Sequence, residues 1–203
     1  MTDADNSAGA HREKMKAMQK KHRAKISRTR DEKGLLMVNT GDGKGKSSAA
    51  LGMVLRCLGW GKRVGVVQFI KGTWQTGEQK FLSRFPDLVT WKAMGEGFTW
   101  DTQNREADIA AARRAWDAAR AMIESGDYDF ILLDELNVVL AFDYLPGDEI
   151  VDYLTRKHAD LHIAVTGRGA PQALIDAADL VTEMRPVKHP FDAGIKAQKG
   201  IEF

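Results

Sequence analysis

The sequence predicts an α/β fold, a single mainly parallel sheet wound on both faces by helices, and three observations carry that expectation. Short apolar runs alternate with helix-forming runs along the body of the chain. Two of those runs, Val64-Gly65-Val66-Val67-Gln68-Phe69-Ile70 and Phe130-Ile131-Leu132-Leu133, are almost continuously apolar, as strands covered on both faces are. A glycine-rich turn, Asn39 to Ser48, stands between the first apolar run and the first helical one.

Composition sets the frame. The 203 residues suffice for one domain of ordinary size plus an appendage, and 43% hydrophobic with 29% charged residues is the balance of a soluble globular protein. No apolar run approaches the roughly 20 residues of a membrane span. No short apolar core of the signal-peptide kind follows Met1, so the expectation is a mature chain that begins here, in the cytoplasm. A lone cysteine, Cys57, excludes an internal disulfide and reads as a small core residue.

Residues 1–33 are expected to form a flexible basic arm, and 34–203 the folded domain. Within 11–33 there are ten Lys or Arg against three acids, although the whole chain carries only +2. Such an arm can bind nucleic acid. No aromatic residue interleaves its charges as a stacking platform requires, so the solvated, helix-prone reading is preferred. Residues 1–10 are small and polar and read as disordered.

The domain opens with Leu35-Leu36-Met37-Val38, an apolar strand. The turn that follows, Asn39-Thr40-Gly41-Asp42-Gly43-Lys44-Gly45-Lys46-Ser47-Ser48, has the strand-loop-helix context of a phosphate-binding loop. Its glycines let amides converge on phosphate oxygens, and the helix beginning near Lys46 adds the positive end of its dipole. Lys46 supplies a point charge, and the Ser47 hydroxyl is placed to ligate a Mg²⁺ that bridges the phosphates. The loop is one residue short of the usual spacing, which leaves Thr40 in the place of the outer glycine. The bland alternative is an ordinary solvated Gly-rich turn.

A helix from Ala49 to Leu58 ends at Gly59-Trp60-Gly61, and the second strand covers Val64–Ile70. Its polar exit, Lys71 to Glu78, lies at the carboxyl edge where open α/β sheets bind ligands. A helix over 78–85 and a short strand around Leu88–Trp91 follow. The stretch Met94 to Trp100 sets Phe98 and Trp100 beside glycines in a loop, either as a hydrophobic plug or as a grip on a ligand. An alanine-rich helix runs from Asn104 to Ser125.

The strand Phe130-Ile131-Leu132-Leu133 ends in Asp134-Glu135, acids placed to hold Mg²⁺ directly or through water. An N-cap is the bland role for Asp134. Helices over 136–142 and 146–158, a strand over 161–166, a helix over 171–178 and a strand over 180–184 complete the alternation. Arg168, in Gly167-Arg168-Gly169, is a candidate phosphate contact. The tail from Arg185 carries Lys188 and Asp192 as possible ligand contacts and reads as ordered loop plus a final strand. His158 and His162 lack metal spacing and read as surface or core histidines.

The loop from Thr40 to Ala50, the segment Val67 to Gly72, the run Gly97 to Asn104, Leu133-Asp134-Glu135-Leu136, Thr166 to Gly169 and the ending Arg185 to Gly194 together resemble the P-loop family of ATP:corrinoid adenosyltransferases. The likeness covers nearly all of 34–203 in order, and the short loop spacing belongs to that family's pattern. It implies a P-loop NTPase, RecA-like architecture. It also implies an enzyme that moves the 5′-deoxyadenosyl group of ATP to Co(I) of a corrinoid and releases triphosphate.

By that resemblance Thr40, Gly41, Asp42, Gly43, Lys44, Gly45, Lys46, Ser47, Ser48 and Arg56 bind nucleotide. Ser47, Glu135 and Asp134 hold Mg²⁺ or Mn²⁺. Phe98 and Trp100 displace the lower axial ligand of the corrinoid, which favours the ligand-grip reading of their loop; with Lys46 they form the catalytic set. The resemblance further implies a homodimer, an electron donor such as a reduced flavoprotein, and an arm that closes over the site. From a different class stands a RecA-like ATPase acting on nucleic acid through the arm, and behind it a small-molecule kinase.

Overall fold

In a computed structural model the described residues are 3–27, 31–70, 76–94 and 104–202. They form two compact units, Met1–Glu32 and Lys33–Phe203. The first is one helix, α1 (Asp3–Ile26). Helix therefore begins within the segment expected to be disordered, which Ala4, Ala8 and Ala10, the strongest helix formers, favour locally.

The second unit alternates β1 (Leu36–Thr40), α2 (Lys46–Gly59), β2 (Val64–Gln68), α3 (Gly77–Leu82), β3 (Val89–Ala93) and α4 (Arg105–Ser125). It continues with β4 (Phe130–Asp134), α5 (Leu136–Ala141), α6 (Gly147–Thr155), β5 (His162–Thr166), α7 (Gln172–Ala177) and β6 (Leu180–Glu183). The six strands form one sheet in the order β3-β2-β4-β5-β1-β6. Every pairing in it is parallel.

Side-chain alternation explains why helices cover both faces. Leu36, Val38, Ile131, Leu133, Ile163 and Val165 point into a core shared with buried residues of α4, α5 and α6. Met37, Phe130, Leu132 and Ala164 point the opposite way, against Ala50, Leu51 and Val54 of α2. Leu132 and Leu133 are both fully buried, so neither face can accept a polar substitution at the sheet centre.

The expected final strand is absent from the described tail. A 3₁₀ helix, Pro190–Ala193, stands there instead. Pro186, Pro190, Gly194 and Gly200 interrupt the ladder that a strand would need. The topology puts the carboxyl ends of β1, β5 and β4 side by side, and each end opens into a loop that carries candidate site residues.

Candidate functional site

The glycine-rich loop bridges β1 and α2. Gly45 caps the helix with φ 113°, a conformation that suits glycine, and no side chain caps the first turn. The amides of that turn thus keep their hydrogen-bonding capacity for an oxyanion, and no acid lies there to oppose one. Lys46 is only 8% exposed and donates from Nζ to the Gly43 carbonyl at 2.8 Å. Burial lowers its pKa first, while the charge of Glu135 raises it. It is a desolvated cation curled over its own loop.

Two strands away, β4 ends in Asp134 and Glu135, with the end of β5 between them and the loop strand. Asp134 accepts from the Thr166 hydroxyl at 2.7 Å and from Gln68 Nε2 at 3.4 Å. Burial pushes its carboxyl up, against hydrogen bonds from Ser47, Thr166 and Gln68. The Ser47 bond ties the first turn of α2 to β4. Glu135 has the positive φ of 63° that non-glycine residues seldom adopt. Its N–H donates to Thr166 Oγ1 at 3.0 Å. Its carboxyl is pushed up to about 7, first by burial and then by Asp134, with Lys46 and Arg168 pulling the other way.

Packing fixes that carboxylate. Gly167 has φ 126°, and a Cβ there would stand 3.1 Å from Glu135 Oε2 and 3.0 Å from Asn137 Cβ. Any side chain at 167 would therefore shift the acid or strain the backbone. Arg168 beside it is exposed, and its charge acts on both Lys46 and Glu135.

Two residues outside the sequence-based site complete the frame. Asn137 is 0% exposed and donates from Nδ2 to Gly167 O at 3.1 Å and to Asn39 O at 3.4 Å, linking the ends of β5 and β1. Asn39 in turn donates to Lys46 O at 3.1 Å. Thr166 is the other, since one hydroxyl serves both acids. Among the described residues the buried polar side chains are Asn39, Thr40, Lys46, Asp134, Asn137 and Thr166, all at this edge. Thr40, in the outer-glycine place, accepts from Ala170 N at 3.2 Å and so latches the Arg168 loop to β1. The signal available in the sequence was a polar residue directly after an apolar run, which Thr166 fits, whereas Asn137 lies in the first turn of α5 and carried no such signal.

The structure brings together Lys46, Ser47, Asp134, Glu135 and the Arg168 loop. Asp42, Lys44 and Ser48 are exposed on the loop and the first turn of α2. Arg56 is exposed in the last turn of α2, about 15 Å along the axis from Lys46 at 1.5 Å per residue, so the loop and Arg56 are not brought together. Lys188 and Asp192 are exposed beyond β6, where their side chains make no hydrogen bond or ion pair among the described residues. Phe98 and Trp100 lie outside the described residues. No group of three or more His, Cys, Asp or Glu with metal geometry occurs among the described residues. The hard oxygens of Ser47, Asp134 and Glu135 form instead a partial donor set of the kind Mg²⁺ completes with substrate phosphate and water.

Comparison with known proteins bears on this geometry. The family model described as ATP:corrinoid adenosyltransferase BtuR/CobO/CobP matches residues 32–203. A corrinoid adenosyltransferase of Pseudomonas aeruginosa is 50% identical over 203 residues, covering 100% of both chains. One of Escherichia coli K12 is 46% identical over 95% of this chain and 97% of its own. The corrinoid adenosyltransferase CobA of Salmonella typhimurium is 47% identical over 89% of this chain and 91% of its own.

Proposed function

This chain belongs to the ATP:corrinoid adenosyltransferase family and is an enzyme that transfers the adenosyl group of ATP to a corrinoid; from that premise we propose how its residues divide the work. Lys46, the amides of the first turn of α2 and Arg168 hold the triphosphate. The reduced cobalt of the corrinoid substrate attacks C5′ of the ribose, the C5′–O bond breaks, and its electron pair leaves on the triphosphate. The cobalt is itself the nucleophile, so the protein's part is positioning and electrostatics.

The observation that carries this reading is the convergence of Lys46, Ser47 and Glu135 on one sheet edge, with Lys46 and Glu135 each acting on the other's charge. Ser47 and Glu135 would hold Mg²⁺, or Mn²⁺, with the phosphates, and Asp134 would fix Ser47 by the hydrogen bond between them. Such an ion stabilises charge growing on the departing triphosphate.

Phe98 and Trp100 are proposed to displace the lower axial ligand of cob(II)alamin, which eases its reduction by an external donor such as a reduced flavoprotein. A homodimer and a cytoplasmic setting are proposed with them. No helix among the described residues is long and apolar enough to cross a membrane. The nucleic-acid alternative has no support among the relatives, whose names are those of corrinoid enzymes.

The test is product identity. With ATP, Mg²⁺ and a chemically reduced corrinoid, the expected products are triphosphate and a light-sensitive Co–C bond seen in the visible spectrum. Orthophosphate as the main product overturns the reading.

A further inference from the structure

The outer half of the phosphate loop is braced by the protein's own tail. Gly43 N–H donates to Met184 O at 2.7 Å, just beyond β6. A Cβ on Gly43 would lie 2.6 Å from the Arg185 carbonyl carbon, and one on Gly41 2.4 Å from Met184 O. Both glycines are therefore required by a chain packed against the loop, whatever they do for phosphate. Further along, the tail meets the loop again. A turn closed by Glu202 N–H on Gln198 O at 2.8 Å presents Glu202, whose Oε2 pairs with Lys44 Nζ on the loop. The Glu202 side chain is 19% exposed and that of Lys44 44%, so the contact sits at the rim of the site.

Resting on the function proposed above, we propose that Glu202 is an internal competitor for the triphosphate at Lys44. In the ligand-free enzyme the carboxylate neutralises Lys44, the loop's second cation. ATP brings a tail of higher negative charge, takes Lys44 and displaces Glu202. After transfer the whole triphosphate remains gripped at many points, which makes it a slow product to lose. Glu202 recaptures Lys44 and removes one of those points.

Inorganic tripolyphosphate, the product itself, is the probe, with binding followed by calorimetry and release by stopped flow on the full chain. Glu202→Gln is expected to bind it about fivefold more tightly and to release it more slowly, the scale of one exposed ion pair of about 1 kcal/mol. In a Lys44→Met background the same substitution should change affinity by less than about twofold. Thermal unfolding of each variant shows that the rim substitutions leave the fold intact. Unchanged affinity in Glu202→Gln, or the same gain with Lys44 absent, overturns the proposal. Wild-type protein that adenosylates corrinoid but binds no tripolyphosphate overturns it alone, whereas failure of both removes the functional reading as well.

Discussion

At the carboxyl ends of the strands the polar groups are buried and interlocked, whereas at the amino ends they are half-buried or exposed and fasten neighbouring chain segments. Thr166 joins Asp134 to Glu135, and Asn137 joins β1 to β5, with each of the two fully buried. At the other end Lys33 pairs with Asp179 at 2.5 Å, Lys157 donates to Gly34 O at 2.6 Å, and His162 Nδ1 accepts from Leu35 N at 3.1 Å. One sheet thus holds two polar layers made from similar residues. The buried layer keeps charges desolvated and strained, which suits a ligand that will neutralise them, while the exposed layer only fastens chain ends. Activity should therefore depend on the first layer, and stability should be little affected by single changes in the second.

The sharpest separation of the two layers is Lys46→Ala. Removing the cation proposed to hold the triphosphate should lower kcat/KM for ATP at least about a hundredfold. Stability should change far less than activity, because relief of a desolvated charge offsets the lost Gly43 carbonyl bond and the loss of the cation near Glu135. Steady-state kinetics and urea unfolding on the same preparation check both halves, and a loss of activity matched by a loss of stability would erase the distinction.

Next in size is pH. Glu135 titrates near 7 in the folded chain and near 4.5 when unfolded, so between those values the folded state binds more protons. Stability of the ligand-free protein should fall as pH rises through that window, by on the order of 3 kcal/mol from this group. His162 runs the other way. Burial and then Lys62 and Lys157 lower its pKa, so just below pH 6.5 the folded state binds fewer protons and stability is lost as pH falls. Its Nδ1 is already an acceptor for Leu35, which protonation there would break. Below about pH 6.5 the two contributions overlap with opposite slopes, so in unfolding curves across pH 4.5 to 8 Glu135→Gln should make the slope of stability against pH more positive and His162→Gln should make it more negative. A slope change of the same sign in both variants would show that one of the two groups does not titrate as its surroundings imply.

How much of this was legible in sequence follows from locality. Gly45-Lys46-Ser47 and Asp134-Glu135 are local patterns read against an adjoining strand and helix, and the structure sets them facing one another. The parallel sheet followed from two-sided apolar runs, and its strands fall within a few residues of the expected bounds. Asn137 and Thr166 were passed over because their partners stand 30 or more positions away. Gly43 looked like a phosphate glycine, yet the chain that forbids its Cβ is Met184–Arg185, remote in sequence. Arg56 shares a helix with the loop, but three helical turns separate them. The expected tail strand failed because proline and glycine outweigh the apolar content of the segment.

Asn137→Ala tests the interlocking directly. It removes two buried hydrogen bonds and leaves the carbonyls of Asn39 and Gly167 with one partner fewer. A loss of about 1–3 kcal/mol is expected by urea unfolding. Because Asn39 also holds Lys46 O, kcat should fall at substrate concentrations that saturate the variant. Retained kcat would mean that this amide serves only the fold.

The smallest effect belongs to the exposed layer and is read within a single carboxylate. Asp179 pairs with Lys33 through Oδ1 and accepts from Leu36 N at 2.9 Å through Oδ2. Its pKa is lowered first by the Lys33 bond and next by the Leu36 amide. Lys33 is largely solvated, and a solvated pair gains little over its hydrated parts, so Lys33→Ala should cost no more than about 0.5 kcal/mol. Asp179→Ala deprives the first amide of β1 of its acceptor as well and should cost about 1 kcal/mol more. Urea midpoints in low and in 0.5 M salt separate the two, because screening removes the Lys33 contribution and spares the amide bond. Equal losses from both substitutions would mean that the ion pair carries the anchor, and that the amino ends of the strands rely on charge as the carboxyl ends do.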